Sequence, residues 1–470
     1  MKIRRSLIQI WLLCAAILLA LTSGAQPVSE VAAGGFHSLF LKSDGSLWGM
    51  GANRDNFTRT AGQLGDGTFN NTNLPEQIVA SNVTAIAAGT AHSLFLKSDG
   101  SLWAMGNNGN GQLGDGTYIN TNLPEQIVAS NVTAIAAGKE IAYVAGGFYG
   151  HSLFIKSDGS LWAMGKNNSG QLGDGTNGGI QGGTNQPEQI VASNVTAIAA
   201  GGAHSLFIKS DGSLWGMGAN GVGELGDGTY TSTNLPEQIL ASNVTAIAAG
   251  QSHSLFLKSD GSLWAMGYNY AGQLGDGNYG DPFGGINQPE QIVASNVTAI
   301  AAGWVHSLFL KNDGSLWAMG DDEYGQLGDG IQRSNNRTNQ PEQIVAGGVI
   351  AIAAGYRHSL FVKSDGSLWG MGWNFYGQLG DGTFTRPPNR PEQILGPYNQ
   401  IGSQLLGGTN MQLNFVGVAS ANYALDRSSS LSPPNWIPQL TNAASSFGPL
   451  VFTNPPDATT NNFWRIRSVP

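Results

Sequence analysis

One unit recurs seven times along this 470-residue chain, and that repeat limits the possible folds more than any other feature. Its core reads Ala-Ala-Gly-x-x-His-Ser-Leu-Phe-(Leu/Ile/Val)-Lys-(Ser/Asn)-Asp-Gly-Ser-Leu-Trp-(Ala/Gly)-Met-Gly. The histidines are His37, His92, His151, His204, His253, His306 and His358, spaced 49 to 59 residues apart. A Gly-(Gln/Glu)-Leu-Gly-Asp-Gly block follows each core, as at Gly111 to Gly116, and a Pro-Glu-Gln-Ile block closes each unit, as at Pro124 to Ile127. Each unit reads as four strands. In the second unit these are Val83 to Ala88, His92 to Lys97, Ser101 to Met105 and a short one around Pro124 to Val128. Ser-Asp-Gly between the second and third is a hairpin signal. Glycines interrupt every candidate helix, and no long 3.6-period stripe appears.

Seven four-stranded units predict an all-β, seven-bladed β-propeller, which leaves only short, protected sheet edges. A linear array would want atypical capping units at its ends, yet the first and last units are nearly as regular as the middle ones. The chain starts at an Ala-Ala-Gly strand, and closure is expected by pairing the N-terminal strands with the last unit's C-terminal strands in one blade. The repeat resembles the regulator of chromosome condensation family, secreted bacterial type. The resemblance rests on the Gly-x-x-His-Ser strand, the Asp-Gly turn, the aromatic third strand and Asn-x-x-Gly-Gln-Leu-Gly, nearly whole at Asn108 to Gly114 and at Asn374 to Gly380. The family implies the same seven-bladed ring, and its members serve as protein-interaction platforms. A fold does not fix a function.

Residues 1–25 have the layout of a secretory signal peptide: a basic Met1 to Arg5, an apolar Ile8 to Leu21, and Ser23-Gly24-Ala25 before a cleavage point. The expected location is therefore secreted, cell-surface or periplasmic, with no membrane span in the mature chain. Cys14, the one cysteine, lies in this segment, so disulfides, thiol catalysis and zinc–thiolate sites are excluded from the mature chain. The formal charge is −9, which argues against nucleic acid as a partner, since a phosphate-backbone binder needs a basic face. The domain division is 1–25 signal peptide, 26–395 propeller and 396–470 a small C-terminal module. The module resembles a β-sandwich, with alternation at Met411, Leu413, Phe415, Tyr423 and Leu425, and anchors at Trp436, Phe452, Trp464 and Ile466.

Chemistry that appears in every blade reads as architecture. Seven equivalent histidines each suit a ring hydrogen bond to a neighbouring strand or turn better than one convergent metal site. Asp99-Gly100 and Asp115-Gly116, with their repeats, read as turns rather than calcium loops, which need six to eight oxygens. The glutamates Glu76, Glu125, Glu188, Glu237, Glu290, Glu342 and Glu392 are likewise equivalent, so no unique acidic pair points to glycoside hydrolysis. The five Asn-Val-Thr sequons, from Asn82 to Asn296, fall at strand starts. The repeat tryptophans belong in the core between blades. No catalytic residue, metal or cofactor is assigned.

Function is expected where the repeats differ. The pair before each histidine and the loop after Met-Gly vary, and large aromatics gather late in the chain. Tyr268, Tyr270, Trp304, Tyr324, Tyr356, Arg357, Trp373, Phe375 and Tyr376 form the candidate binding set. Insertions at Asn53 to Ala61 and Lys139 to Gly147 also break the pattern. The leading expectation is a noncatalytic scaffold for an extracellular or cell-surface protein. A carbohydrate-binding propeller that stacks sugars on the late aromatics is the first alternative, and a polysaccharide hydrolase or lyase is the second.

Overall fold

The computed structural model describes residues 26–396 except 55–59, 142–147, 179–181, 282–283, 332–335 and 386–388, together with six strands between 402 and 469. Residues 1–25, expected above to be a signal peptide, Phe57 and Arg59 of the first insertion, residues 142–147 of the second, and Trp436 lie outside the described residues.

Seven four-stranded antiparallel sheets follow one another, and among the described residues no helix occurs. The second blade is typical: Val83–Ala88, His92–Lys97, Leu102–Gly106 and Thr121–Val128, paired in that order. Its fourth strand starts three residues before the expected Pro124. A register shift opposite Ala104 to Gly106 absorbs the proline, as suits a ring lacking an N–H on an outer edge. Each blade is one continuous repeat. The first holds Val28–Ala33 to Thr72–Val79, and the seventh holds Val349–Ala354 to Glu392–Leu395. The expected shared closing blade is therefore corrected: neither terminal repeat lends a strand to the other.

Closure comes instead from hydrogen bonds between whole blades. Each histidine Nε2 lies 2.8–3.0 Å from the Oγ of the serine that follows the histidine in the next blade. The series runs from His37 to Ser93, through His204 to Ser254, and returns from His358 to Ser38. Each of these serines donates its one proton to the backbone carbonyl of the Gln or Glu in the preceding blade's Gly-(Gln/Glu)-Leu-Gly block, at 2.6–2.8 Å. The serine oxygen must then accept from the histidine, which fixes every ring as the Nε2–H tautomer. The other ring edge packs on the glycine of Ala-Ala-Gly. A Cβ on Gly201 would collide with the His204 ring.

Two backbone circuits run beside this one. On the inner circuit the residue after each such glycine donates to the matching glycine carbonyl of the next blade. It begins with Gly35 to Gly89 at 3.0 Å and ends with Tyr356 to Gly34 at 3.2 Å. On the outer circuit the last glycine of each Leu-Gly-Asp-Gly block donates to an asparagine carbonyl in, or in the seventh blade just before, the next blade's fourth strand, as from Gly116 to Asn185 at 2.8 Å and from Gly382 back to Asn73 at 2.9 Å. Gly116 does this at φ +85°, where a side chain would be strained. The Asn82 type turns stand at φ of about 70°, so the sequons mark left-handed corners between blades, a conformation asparagine tolerates.

Side-chain size tapers with the ring. The first strands, nearest the axis, carry alanines that line a central channel. Second-strand Leu39, Phe40 and their equivalents are fully buried between blades. The repeat tryptophans sit at the outer margin of those interfaces. Each stacks on its blade's Phe at 6.0–6.1 Å. Each also lies under a Lys ammonium at 3.7–4.3 Å, a cation–π contact. Trp48 is buried and the other six are half-buried.

The chain divides into two compact units, one holding residues 28–364 and 368–394 and the other centred on 395–470. In the latter, Gly402–Leu406, Asn410–Val416 and Pro449–Asn454 make one three-stranded sheet, and Ile437–Ala443, Asn422–Ser428 and Phe463–Val469 make another.

Burial pushes all seven histidines down, to about 3 or about 4. The unfolded chain therefore takes up protons first. The stability is present above pH 6.5 and is lost as pH falls from there toward 4. At pH 5.5 each ring costs on the order of 1 kcal/mol relative to pH 8, and the seven together several kcal/mol. That is a large share of a whole domain's stability. Burial acts in the opposite sense on a smaller set of carboxyls, raising Glu30 to about 7 and Asp321 to about 6 and pushing Glu140 and Glu224 up as well, which offsets part of this loss. Urea midpoints measured from pH 8 to pH 5 should fall steeply, and a flat profile would contradict neutral buried rings.

Candidate functional site

The blade topology decides which side chains can share a face. Loops from first to second strand and from third to fourth strand leave the same end of every blade, because His92 pairs with Gly106 at that end. Both variable segments therefore open on one face. The Asp-Gly hairpins and the Asn82 type turns lie at the opposite end. The oxygens of Asp99 and Asp115 are used locally. Asp99 accepts from Ser101, and Asp115 accepts from Asn108 and Thr117.

The nine candidate residues fall into two adjoining groups on the loop face. The first is a packed aromatic cluster where blades 6, 7 and 1 meet. Phe36 is its hub, with ring centroids 5.3 Å from Tyr356, 5.5 Å from Trp373 and 5.4 Å from Tyr376. Trp304 lies 4.6 Å from Tyr356, and Tyr324 lies 5.5 Å from Trp373. Tyr356 and Phe36 are buried, whereas Phe375, against Trp373 at 5.8 Å, is 58% exposed. Tyr356 thus packs the cluster, and Phe375 offers its ring to solvent. Arg357 binds the group together: its guanidinium lies 4.3 Å from the Tyr324 ring centre and 4.9 Å from that of Trp304, with Glu323 at 3.4 Å.

The second group borders a groove of about 550 Å³ that runs along blades 5 and 6. Tyr268, Tyr270 and Trp304 line it together with Asp321, Glu323, Arg337 and Arg357. Tyr268 and Tyr270 stack at 6.3 Å. Arg337 stands between Tyr270 at 4.7 Å and Tyr279 at 4.6 Å, and its Nη1 donates to the Tyr270 carbonyl at 2.7 Å. Burial pushes the Asp321 carboxyl up to about 6, although Gln326, which donates to it at 2.5 Å, and Arg357 both favour its charged form.

Sequence reasoning missed Phe36, Asp321, Tyr279 and Arg337. A signal existed for the last. Its position before Thr-Asn in the fourth strand is Asn71, Asn120 and Ser232 in other blades, so a large cation there departs from the pattern. The Lys139 insertion lies elsewhere on the loop face. Its Nζ crosses the channel to donate to the Ala354 carbonyl at 2.6 Å, and burial pushes its amine down to about 8. Beyond it, Glu140–Ile141 pairs with Phe148–Tyr149, and Glu140 meets Lys166 at 2.5 Å.

A sequence profile of the RCC1-like domain matches residues 17–278 and 178–415. The chain is 29% identical over 374 residues to the ultraviolet-B receptor UVR8 of Arabidopsis thaliana, covering 77% of this chain and 68% of the receptor. It is 33% identical over 266 residues to protein RCC2 of Mus musculus, covering 50% of this chain and 40% of that protein. The crystal structure of Prp20p from Saccharomyces cerevisiae superposes with a TM-score of 0.64 at 20% identity, over 80% of this chain and 88% of that one. Prp20p is described with its binding to Gsp1p and histones.

The two aromatic positions Phe36 and Phe375 should separate packing from display. Phe36→Ala should cost about 3–4 kcal/mol in urea unfolding, because it empties the hub of the cluster. Phe375→Ala should stay within about 0.5 kcal/mol. Equal losses would mean that Phe375 is also a packing residue.

Proposed function

This chain belongs to the RCC1-like domain family, and from that premise we propose that it is a noncatalytic scaffold that binds another protein through the loop face of its propeller. One observation carries the reading. The seven blades are nearly identical in frame, yet one sector of one face collects Trp304, Tyr324, Arg357, Trp373 and Phe375 in mutual contact. Aromatic residues and arginine are the side chains that dominate interface energetics. They are held on a closed ring, so little ordering is needed on association.

In this reading the protein is of a secreted bacterial type. Residues 1–25 act as a signal peptide, 26–395 as the ring and 396–470 as a small sandwich-like module. The partner is an extracellular or cell-surface protein. The acidic sequence charge, −9 in total, supports a protein over a nucleic acid. The binding set remains Tyr268, Tyr270, Trp304, Tyr324, Tyr356, Arg357, Trp373, Phe375 and Tyr376, with Tyr356 acting through the rings packed on it.

A pull-down from the envelope and medium of the source organism tests this. The protein should capture one polypeptide saturably. The Phe375→Ala, Tyr270→Ala double variant, altered at two exposed rings, should lose at least tenfold in affinity with an unchanged melting curve. Equal capture by both proteins would move the interface off this face. Release of the captured material by free sugar would favour a lectin.

A further inference from the structure

The groove along blades 5 and 6 holds a cation whose partner is not supplied by the ring itself. Arg337 is half-buried, flanked by two tyrosines, and donates to one acceptor among the described residues, the Tyr270 carbonyl. Its Nε is buried without a hydrogen-bond partner among the described residues. Asp321 is its register partner in the adjacent strand, yet the Asp321 carboxyl is turned to Gln326. The other carboxylate of the groove, Glu323, is paired with Arg357. A guanidinium has five donors in a planar fork that fits a carboxylate through two parallel bonds. The Tyr270 carbonyl takes one Nη1 proton, so an incoming carboxylate would pair with the donors that remain on the outer nitrogens.

We propose that this groove is a docking site for an acidic peptide segment, in which an Asp or Glu side chain of the partner pairs with Arg337 and a neighbouring apolar side chain lies against Tyr268 and Trp304. The proposal rests on the protein-binding reading and names the chemistry of its partner. Three observations set the occupant. The site's unmatched group is cationic, which calls for an anion. The groove is of about 550 Å³, room for two or three residues of peptide and within the range of small-ligand clefts. The aromatic rings already give faces to guanidinium groups, Tyr270 and Tyr279 to Arg337, and Trp304 and Tyr324 to Arg357. That leaves fewer free faces for stacked sugar rings and favours contact with compact side chains.

The test uses the full chain and two blocked peptides that differ in one group, N-acetyl-Glu-Phe-amide and N-acetyl-Gln-Phe-amide, titrated by ligand-observed NMR. The Glu peptide should bind at least tenfold more tightly. Arg337→Met should abolish that difference while leaving the melting curve and the weak binding of the Gln peptide in place. Because the comparison between the two peptides needs no variant, it stands even if Arg337→Met unfolds the loop. Equal binding of the two peptides, or binding of neither, overturns the proposal. Methyl glucuronide serves as a third probe: tighter binding of this sugar acid than of the Glu peptide would assign the groove to acidic carbohydrate instead. Failure of the protein pull-down alongside a clear Glu preference would count against the scaffold reading alone, because the groove's chemistry is read here directly.

Discussion

Each blade leans on the next through one buried histidine–serine contact, and the ring exists because that contact is made seven times, including across the ends of the chain. The contact is demanding. The serine must donate to a carbonyl of the preceding blade and accept from its histidine. The histidine must be neutral and must lie on a residue without a side chain. Four parts of the repeat are thereby tied together: the glycine of Ala-Ala-Gly, the His-Ser pair, and the carbonyl of the Gly-(Gln/Glu)-Leu-Gly block. A substitution in any one strands a buried polar group on another. Cys14 is the one cysteine of the sequence, so no intrachain disulfide closes the ring; the first and last blades are joined by the same contact as every other pair.

This frame explains how the loop face can vary. The inner backbone circuit uses main-chain atoms of the residue that follows each glycine, and its side chain is free to be Gly35, Thr90, Gln251, Trp304 or Tyr356. The same position that closes the ring also supplies rings to the aromatic cluster. Variation there costs the fold little. Concentration of aromatics in one sector gives the face a direction that sevenfold repetition alone would lack. The alanine-walled channel shows a similar pattern: one inserted lysine, Lys139, spans it and differs from every equivalent position.

Much of this was legible in the sequence. The seven copies dictated the blade count, and the equivalence of the histidines pointed to a bond with a neighbouring strand. The closing mechanism was not legible. A hydrogen bond from His358 to Ser38, 320 residues apart, carries no mark that separates it from the same motif joining blades that are neighbours in sequence. Exposure was also hidden. Tyr356 and Phe375 belong to the same run of late aromatics, yet one is buried beneath the cluster and the other stands on top of it, because burial depends on the partner Phe36 from the far end of the chain. Arg337 escaped notice because it starts a strand rather than a loop, and strands were read for their common pattern.

The account stands or falls on the state of the seven buried rings. Proton–nitrogen correlation spectra of the imidazoles in uniformly labelled protein read it directly. Seven rings protonated at Nε2, unchanged between pH 8 and pH 6, are the expected result. Rings protonated at Nδ1, or titrating near pH 6.5 in the folded protein, would contradict the closure by histidine–serine bonds.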